Sequence, residues 1–390
     1  MEKQIVSVHH IPKFIMYIIK MKKCFFTIAV CLITSCGNIN HSYDVEVIDI
    51  NRYFDVNQLD EIRTKYAYDG FVVKLETTDD CLLGLYDGKY YFSENRIYIA
   101  ESTIFIFDFD GKFINKLKLG NGHGEIANYQ AVDYDCFKNE LIVYQEPYIK
   151  YYSCDGIFLR EKQVPYYFRS LKSVSEGYIL QCDSGNMGCD EAPDATLLFV
   201  DKDFNLISAN FNVIKKAVYY HIDFIYHSEK ENITIVPINN DTIYQLVNNS
   251  FVPIYYLDYT LDRFDNTITN TTLFFKENSR HYSWSKYIET STHQFFSLSK
   301  KTNFSIFRDK LNGIIKGGIY SNFNSLFSIA PITTYGDYFV SCKNYCDMEG
   351  EDYEILSMFS EEDIKKINDQ KEDDNPLLIF YKLKPFDYEE

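Results

Sequence analysis

The chain has 390 residues, a formal net charge of -17 and 46% hydrophobic residues, enough apolar material for a large core. So acidic a surface repels phosphate backbones and anionic headgroups, which argues against nucleic-acid binding and against a polybasic membrane contact. Thirty-four tyrosines and 31 phenylalanines beside 9 prolines favour strands.

In chain order, the first organised segment begins at Met21. Met21-Lys22-Lys23 is a basic start, Cys24 to Ile33 is an apolar run too short to span a bilayer, and Thr34-Ser35-Cys36-Gly37 is a small-residue site. Ile33-Thr34-Ser35-Cys36 resembles the bacterial lipobox, in which cleavage occurs just before a cysteine carrying diacylglycerol. The reading is a lipoprotein signal over 21–35, lipidation of Cys36, a short tether over 36–43 and a folded region over 44–390. Residues 1–20 are expected to be an upstream extension from a misassigned start. Residues 1–35 hold five lysines and one glutamate, so removing their net +4 takes the charge from -17 to -21. Gly37-Asn38-Ile39-Asn40 lacks the acidic run of a surface-export signal, so the expected location is the outer membrane, facing the periplasm.

Three of the ten cysteines (Cys24, Cys31, Cys36) belong to that segment. Of the remaining seven, Cys182 with Cys189 and Cys342 with Cys346 are close enough in sequence to staple loops if geometry allows. Their spacing lacks the tight Cys/His pairs of a zinc site.

Beyond the tether, apolar residues alternate in short runs bounded by Asp, Asn or Gly, as in Arg96 to Ala100, Ile104 to Phe107, Glu140 to Tyr144 and Leu197 to Val200. Phe107-Asp108-Phe109-Asp110-Gly111-Lys112 returns as Tyr152-Ser153-Cys154-Asp155-Gly156-Ile157, and more loosely as Val200-Asp201-Lys202-Asp203-Phe204-Asn205. Asp110, Asp155 and Asp203 thus recur after 45 and 48 residues. The repeat reads as a hairpin turn, and its period predicts an all-β, six-bladed β-propeller with small helical or loop insertions. Blades are expected at 81–119, 131–164, 171–212, 220–258, 290–319 and 326–384. The alternating Asp44 to Ile50 is expected to pair with the last blade and close the ring. Residues 260–288, which include Trp284, and the acidic stretch 347–375, helical around Glu361 to Ile367, are expected as insertions on one face.

Ile97-Tyr98-Ile99-Ala100-Glu101, then Ile104 to Asp108, Asp110-Gly111-Lys112-Phe113 and Gly120-Asn121-Gly122-His123-Gly124-Glu125, resemble a blade of the NHL type. With the lipobox and the terminal Asn375 to Leu383, the chain resembles the six-bladed propeller lipoproteins of Bacteroides-type bacteria. His123 stands where the NHL pattern usually has proline. The resemblance implies a fold and a compartment, and its wider relatives include both binding scaffolds and lyases.

Candidate sites are sparse. Gly120 to Gly124 is followed by strand, so it lacks the helix N-terminus a phosphate loop needs and reads as an inter-blade turn. Asp108-Phe109-Asp110-Gly111 and Asp201 to Asn205 resemble the start of a calcium loop, but counting from Asp201 the twelfth position is Asn212, not an acid. The cofactor is unknown from sequence, with calcium on clustered carboxylates of the acidic surface or the central channel as the one named candidate. His221, Asp223 and His227 are weak metal candidates near the start of the fourth blade. Asp241-Thr242-Ile243 resembles a short O-glycosylation acceptor. The leading functional expectation is a membrane-anchored binding or scaffold propeller, more in keeping with a non-enzyme, with a protein, peptide or glycan partner. The alternative is a metal-assisted lyase or hydrolase at the central channel.

Overall fold

The repeat is a turn with the same chemistry each time. Asp108 Oδ1 accepts the amides of Asp110 (3.0 Å) and Lys112 (2.9 Å). Ser153 Oγ accepts those of Asp155 (3.3 Å) and Ile157 (3.1 Å), and Asp201 Oδ1 those of Asp203 (2.8 Å) and Asn205 (2.9 Å). A side-chain oxygen thus closes each turn locally. Gly111 (φ +82°) and Gly156 (φ +79°) follow in the left-handed region. At Gly111 a Cβ would lie 2.0 Å from the Lys74 carbonyl oxygen, so this glycine is also required by close packing. The third repeat places Phe204 there at φ +67°, and its buried ring stacks on Tyr178 at 4.9 Å, offsetting the backbone cost.

The computed structural model describes residues 45–53, 58–84, 88–182, 188–212, 225–229, 232–237, 240–259, 283–299, 303–319, 331–345 and 357–387. Two strands, β1 (Glu46–Asp49) and β2 (Ala67–Lys74), precede the run of hairpins. Blade one is β3 (Lys89–Phe92), β4 (Ile97–Ala100), β5 (Ile104–Phe107) and β6 (Phe113–Lys116). Blade two is β7 (Ala131–Asp135), β8 (Glu140–Gln145), β9 (Tyr148–Ser153) and β10 (Phe158–Gln163), and blade three is β11 (Ser170–Val174), β12 (Gly177–Gln181), β13 (Ala195–Asp201) and β14 (Leu206–Asn212). Blade four holds β15 (Ile225–Glu229), β16 (Asn232–Ile235), β17 (Thr242–Val247) and β18 (Ser250–Asp258). Blade five holds β19 (Ser283–Glu289), β20 (His293–Ser299), β21 (Asn303–Asp309) and β22 (Ile315–Ile319). Blade six takes β23 (Thr333–Tyr335), β24 (Tyr338–Lys343) and β25 (Leu377–Leu383) from the C-terminal part and β2 as its outer strand.

The protein is therefore a six-bladed β-propeller, as the repeat predicts. First strands pack in succession, β3 on β7, β7 on β11, β11 on β15, β15 on β19 and β19 on β23, and these are the inner strands. Among the described residues the core divides into six apolar clusters, one at each blade interface. Ile106, Leu117, Leu141 and Tyr152 join blades one and two, and Val73, Phe105, Val340 and Phe380 join six and one. At about 25 cal/mol per Å² of apolar surface removed from water, these interfaces supply the main driving force for closing the ring.

Ring closure corrects the sequence reading. β2 pairs antiparallel with β25 from Ala67↔Leu383 to Lys74↔Leu377, so an N-terminal strand completes the C-terminal blade. The expected closing strand, β1, instead runs parallel to β18 and adds a fifth strand to blade four, burying Ile48 against Leu257 while Val47 points outward. Alternation marks a half-buried strand without naming its partner, and a parallel edge pair leaves no hairpin signal. Between the two strands, described residues touch blade five, where the Gln58 amide donates to the Gly317 carbonyl at 2.8 Å. A buried Lys316 ammonium lies 3.2 Å from Glu61, and Tyr66 packs edge-on against Phe386 at 4.9 Å. Glu46 pairs with the buried Arg308, which donates to Gln294 Oε1 at 2.8 Å.

The insertions need two adjustments. Trp284 belongs to β19, so blade five begins at Ser283. The acidic stretch contains the helix Glu361–Asn368, opened by a capping box in which Ser360 Oγ accepts the Asp363 amide at 3.1 Å. This helix covers the outer edge of β2 instead of lining a face. Asp363 Oδ1 accepts the Val72 amide at 2.9 Å, the Lys366 ammonium reaches the Val72 carbonyl at 3.2 Å, and the Gly70 amide donates to Met358 O at 3.1 Å. The edge groups that would template another strand are thereby satisfied.

Candidate functional site

Each inner strand starts at one end of the ring, so the links between blades and the turns joining second to third strands open at that same end. There blades one to three leave a cavity of about 500 Å³. Lys89 and Tyr91 come from β3, Glu101 and Ser102 from the turn after β4, Tyr129 and Gln130 from the link into β7, and Arg169 from the link into β11.

The walls are held by hydrogen bonds made within the protein. The Tyr129 hydroxyl donates to the Glu101 carbonyl at 2.5 Å, and Glu101 Oε2 accepts the Gly84 amide at 2.8 Å. The Gln130 amide donates to Tyr144 O at 2.9 Å while its side-chain oxygen accepts the Glu146 amide at 3.0 Å. The Arg169 amide donates to Gln181 O at 2.8 Å, which fixes the root of an exposed guanidinium. Burial, with a contribution from the Glu101 charge, pushes the Tyr129 phenol well up, so it stays a neutral donor. Two cations (Lys89, Arg169), one carboxylate (Glu101) and two tyrosine rings thus face one concavity of an otherwise acidic protein. Such a set can hydrogen-bond polar groups, stack on flat or sugar-like faces and attract negative charge.

The residues singled out from sequence lie elsewhere. Gly120 to Gly124 forms an inter-blade turn as expected, and its Gly122 amide already donates to Glu125 Oε2 at 2.8 Å. The Asp108 and Asp201 oxygens are engaged in their turns, and the hydrogen bonds from Asn205 hold the Asp201 carboxyl below the usual range. His227 lies on β15, the inner strand of blade four, while His221 and Asp223 lie outside the described residues, as does Cys36. Among the described residues no three His, Cys, Asp or Glu side chains gather as a metal site. Cys182 and Cys189 are thiols buried in the cluster between blades two and three, with no disulfide joining them. The Cys342 sulfur lies 3.1 Å from the Tyr90 hydroxyl, and Cys346 is outside the described residues. Thr242 opens β17, its amide donating to Asn240 Oδ1 at 2.9 Å. Among the described residues no helix is long and apolar enough to cross a membrane.

Among solved structures, the protein is similar to a "putative exported protein" of Bacteroides fragilis, with 19% identity and a TM-score of 0.70 over 87% of this chain and 100% of that chain. It is also similar to a member of the DUF4221 family from Bacteroides vulgatus, at 9% identity and a TM-score of 0.46 over 83% and 99% of the two chains. A third similar structure is BamB of Moraxella catarrhalis, at 8% identity and a TM-score of 0.38 over 71% and 72%. The first of these supports the fold, and no curated protein matches the sequence. Residues 45–382 match the family described as "Domain of unknown function (DUF4934)", and because that match spans nearly the whole ring, the chain belongs to the DUF4934 family.

Proposed function

We propose that the protein is a binding or scaffold propeller that takes a protein, peptide or glycan partner at the mouth over blades one to three, and that lipid on Cys36 holds it to the outer membrane on the periplasmic side. The observation that carries the reading is the preformed mouth, whose Tyr129, Glu101 and Gln130 are fixed by internal hydrogen bonds before any partner arrives. Preorganisation of this kind lowers the ordering cost of binding. The anchor is supported by the order of basic, apolar and small residues ahead of Cys36. The likeness to an exported protein of Bacteroides fragilis agrees with secretion.

Glycan and peptide arrays probed with the mature chain test the binding role. The expected result is a defined set of hits that Arg169→Glu and Tyr91→Ala each weaken at least tenfold, the loss of about 1.4 kcal/mol. Hits unaffected by both variants, or no hits at all, would overturn it. For the anchor, Cys36→Ala should move the protein from the membrane to the soluble fraction, and continued membrane association would place the attachment elsewhere.

A further inference from the structure

We propose that the face of the ring opposite the mouth rests on the lipid bilayer, its apolar turn residues entering the headgroup region while the mouth points away from the membrane. The proposal rests on the lipid anchor at Cys36 and adds to it an orientation and a second contact. Inner strands begin at the mouth end, so the turns joining first to second and third to fourth strands lie on the opposite face. Several of those turns carry large apolar side chains where turn chemistry favours polar ones. Leu311, 84% exposed, sits in the turn between β21 and β22, and Ile157, 65% exposed, in the turn ahead of β10. Phe137 in the β7–β8 turn and Val247 at the end of β17 are exposed as well, and Leu159 and Ile207 follow just inside the same rim on β10 and β14.

Single exposed apolar residues are ordinary on a protein surface, but these are sorted by face. The mouth end has Leu82, Leu119 and Tyr148. On the opposite face blades two, three, four and five all contribute, so the apolar tips are spread across it instead of lining a groove, which suits a flat partner. Where the described chain begins makes that partner a membrane. β18 leaves the β17–β18 turn on this face and runs toward the mouth end, and β1 runs parallel to it, so Val45 enters β1 from the side of this face. Glu46 stands beside Tyr255, five residues beyond Ser250 at the start of β18 and so about 17 Å above the face. Nine peptide units separate Cys36 from Val45, a reach of at most about 32 Å, which leaves about 15 Å beyond the face at full extension. Charge at these turns is mixed, with Lys112, Lys138 and Lys202 beside Asp110, Asp155 and Asp203. The contact is therefore apolar and suited to zwitterionic headgroups.

The test places the mature lipidated chain in phosphatidylcholine vesicles whose acyl chains carry bromine near the headgroup, and reads tryptophan quenching against that of the single native Trp284. Leu311→Trp and Ile157→Trp should each lose about half of the added emission, since an apolar side chain at an interface sits about 5–10 Å into the headgroup and acyl boundary. Leu119→Trp, at the mouth end, should lose none. Adding Ile157→Asp and Val247→Asp to Leu311→Trp should abolish its quenching while flotation with the vesicles persists. Quenching unchanged by the two aspartates would overturn the apolar contact. A chain that floats with equal quenching at both faces, or with stronger quenching of Leu119→Trp, would overturn the orientation and leave the anchor standing. A chain that does not float would overturn both. Dimers that form without lipid and shield Leu311→Trp and Ile157→Trp would make the occupant a second copy and overturn the proposal.

Discussion

Asp363→Ala probes how the ring protects its closing edge. The side chain is buried and serves two elements at once. Its Oδ1 accepts the Val72 amide at 2.9 Å, and its Oδ2 accepts the Ser360 hydroxyl at 2.5 Å. Removing it breaks the capping box, worth about 1 kcal/mol, and leaves a buried Val72 N–H without an acceptor, worth about 1–3 kcal/mol. The expected loss is about 2–4 kcal/mol. With about 2.1 cal/mol/K per residue over roughly 340 residues, each kcal/mol moves Tm by about 1.4 °C, so Tm should fall by about 3–6 °C. Ser360→Ala removes only the cap and should cost about 1 kcal/mol, while Asp363→Asn retains an acceptor for Val72 and should fall between the two. Urea unfolding gives the energies, and hydrogen exchange at the Gly70 and Val72 amides localises them. An Asp363→Ala variant no less stable than Ser360→Ala, with the Val72 amide still protected, would refute the edge-cover argument.

Other positions give sharp expectations. His293 is buried, with Nδ1 2.9 Å from Thr292 Oγ1, and burial holds its pKa down at about 4. The unfolded chain therefore binds this proton more readily, so the stability present above pH ~6.5 is lost as pH falls toward 4, by on the order of 3 kcal/mol. The urea midpoint should fall steeply across that window and fall less in His293→Gln; equal slopes would contradict this. Phe204→Ala removes the ring stacked on Tyr178 and keeps the positive φ, so it should cost about 3 kcal/mol in urea unfolding, with Phe204→Gly costing less. Gly111→Ala drives a Cβ toward the Lys74 carbonyl and should lower Tm by several degrees; an unchanged Tm would show that the blade-one turn and β2 are not in contact.

The blades were legible because their turns repeat a chemistry that sequence displays directly. Asp108, Ser153 and Asp201 close equivalent turns, and the spacing of their neighbours gave the period. Closure was less legible for reasons of partner choice. Asp44 to Ile50 alternates clearly but does not say which edge it joins. The true closing strand, β2, has its pattern broken by Asp69-Gly70, where φ at Asp69 is +50° and the register with β25 shifts. The polar Ser283, Ser285 and Lys286 around Trp284 obscure the start of β19, so the local pattern reads as an insertion. The mouth leaves no local signature in the sequence, since Lys89, Glu101, Gln130 and Arg169 form no local motif. Lys89, Gln130 and Arg169 do recur about forty residues apart, one per blade at the start of an inner strand. That positional period was the available signal, and it becomes meaningful only once the blades are known to converge.

The measurement that bears most directly on the mouth as the working surface is hydrogen exchange of the mature chain with and without the ligand that the arrays identify. Added protection is predicted at 89–91, 100–102, 129–132 and 169–170, with the outer strands β6, β10 and β14 unchanged. Protection confined to those outer strands, with the mouth segments exchanging as before, would contradict the account.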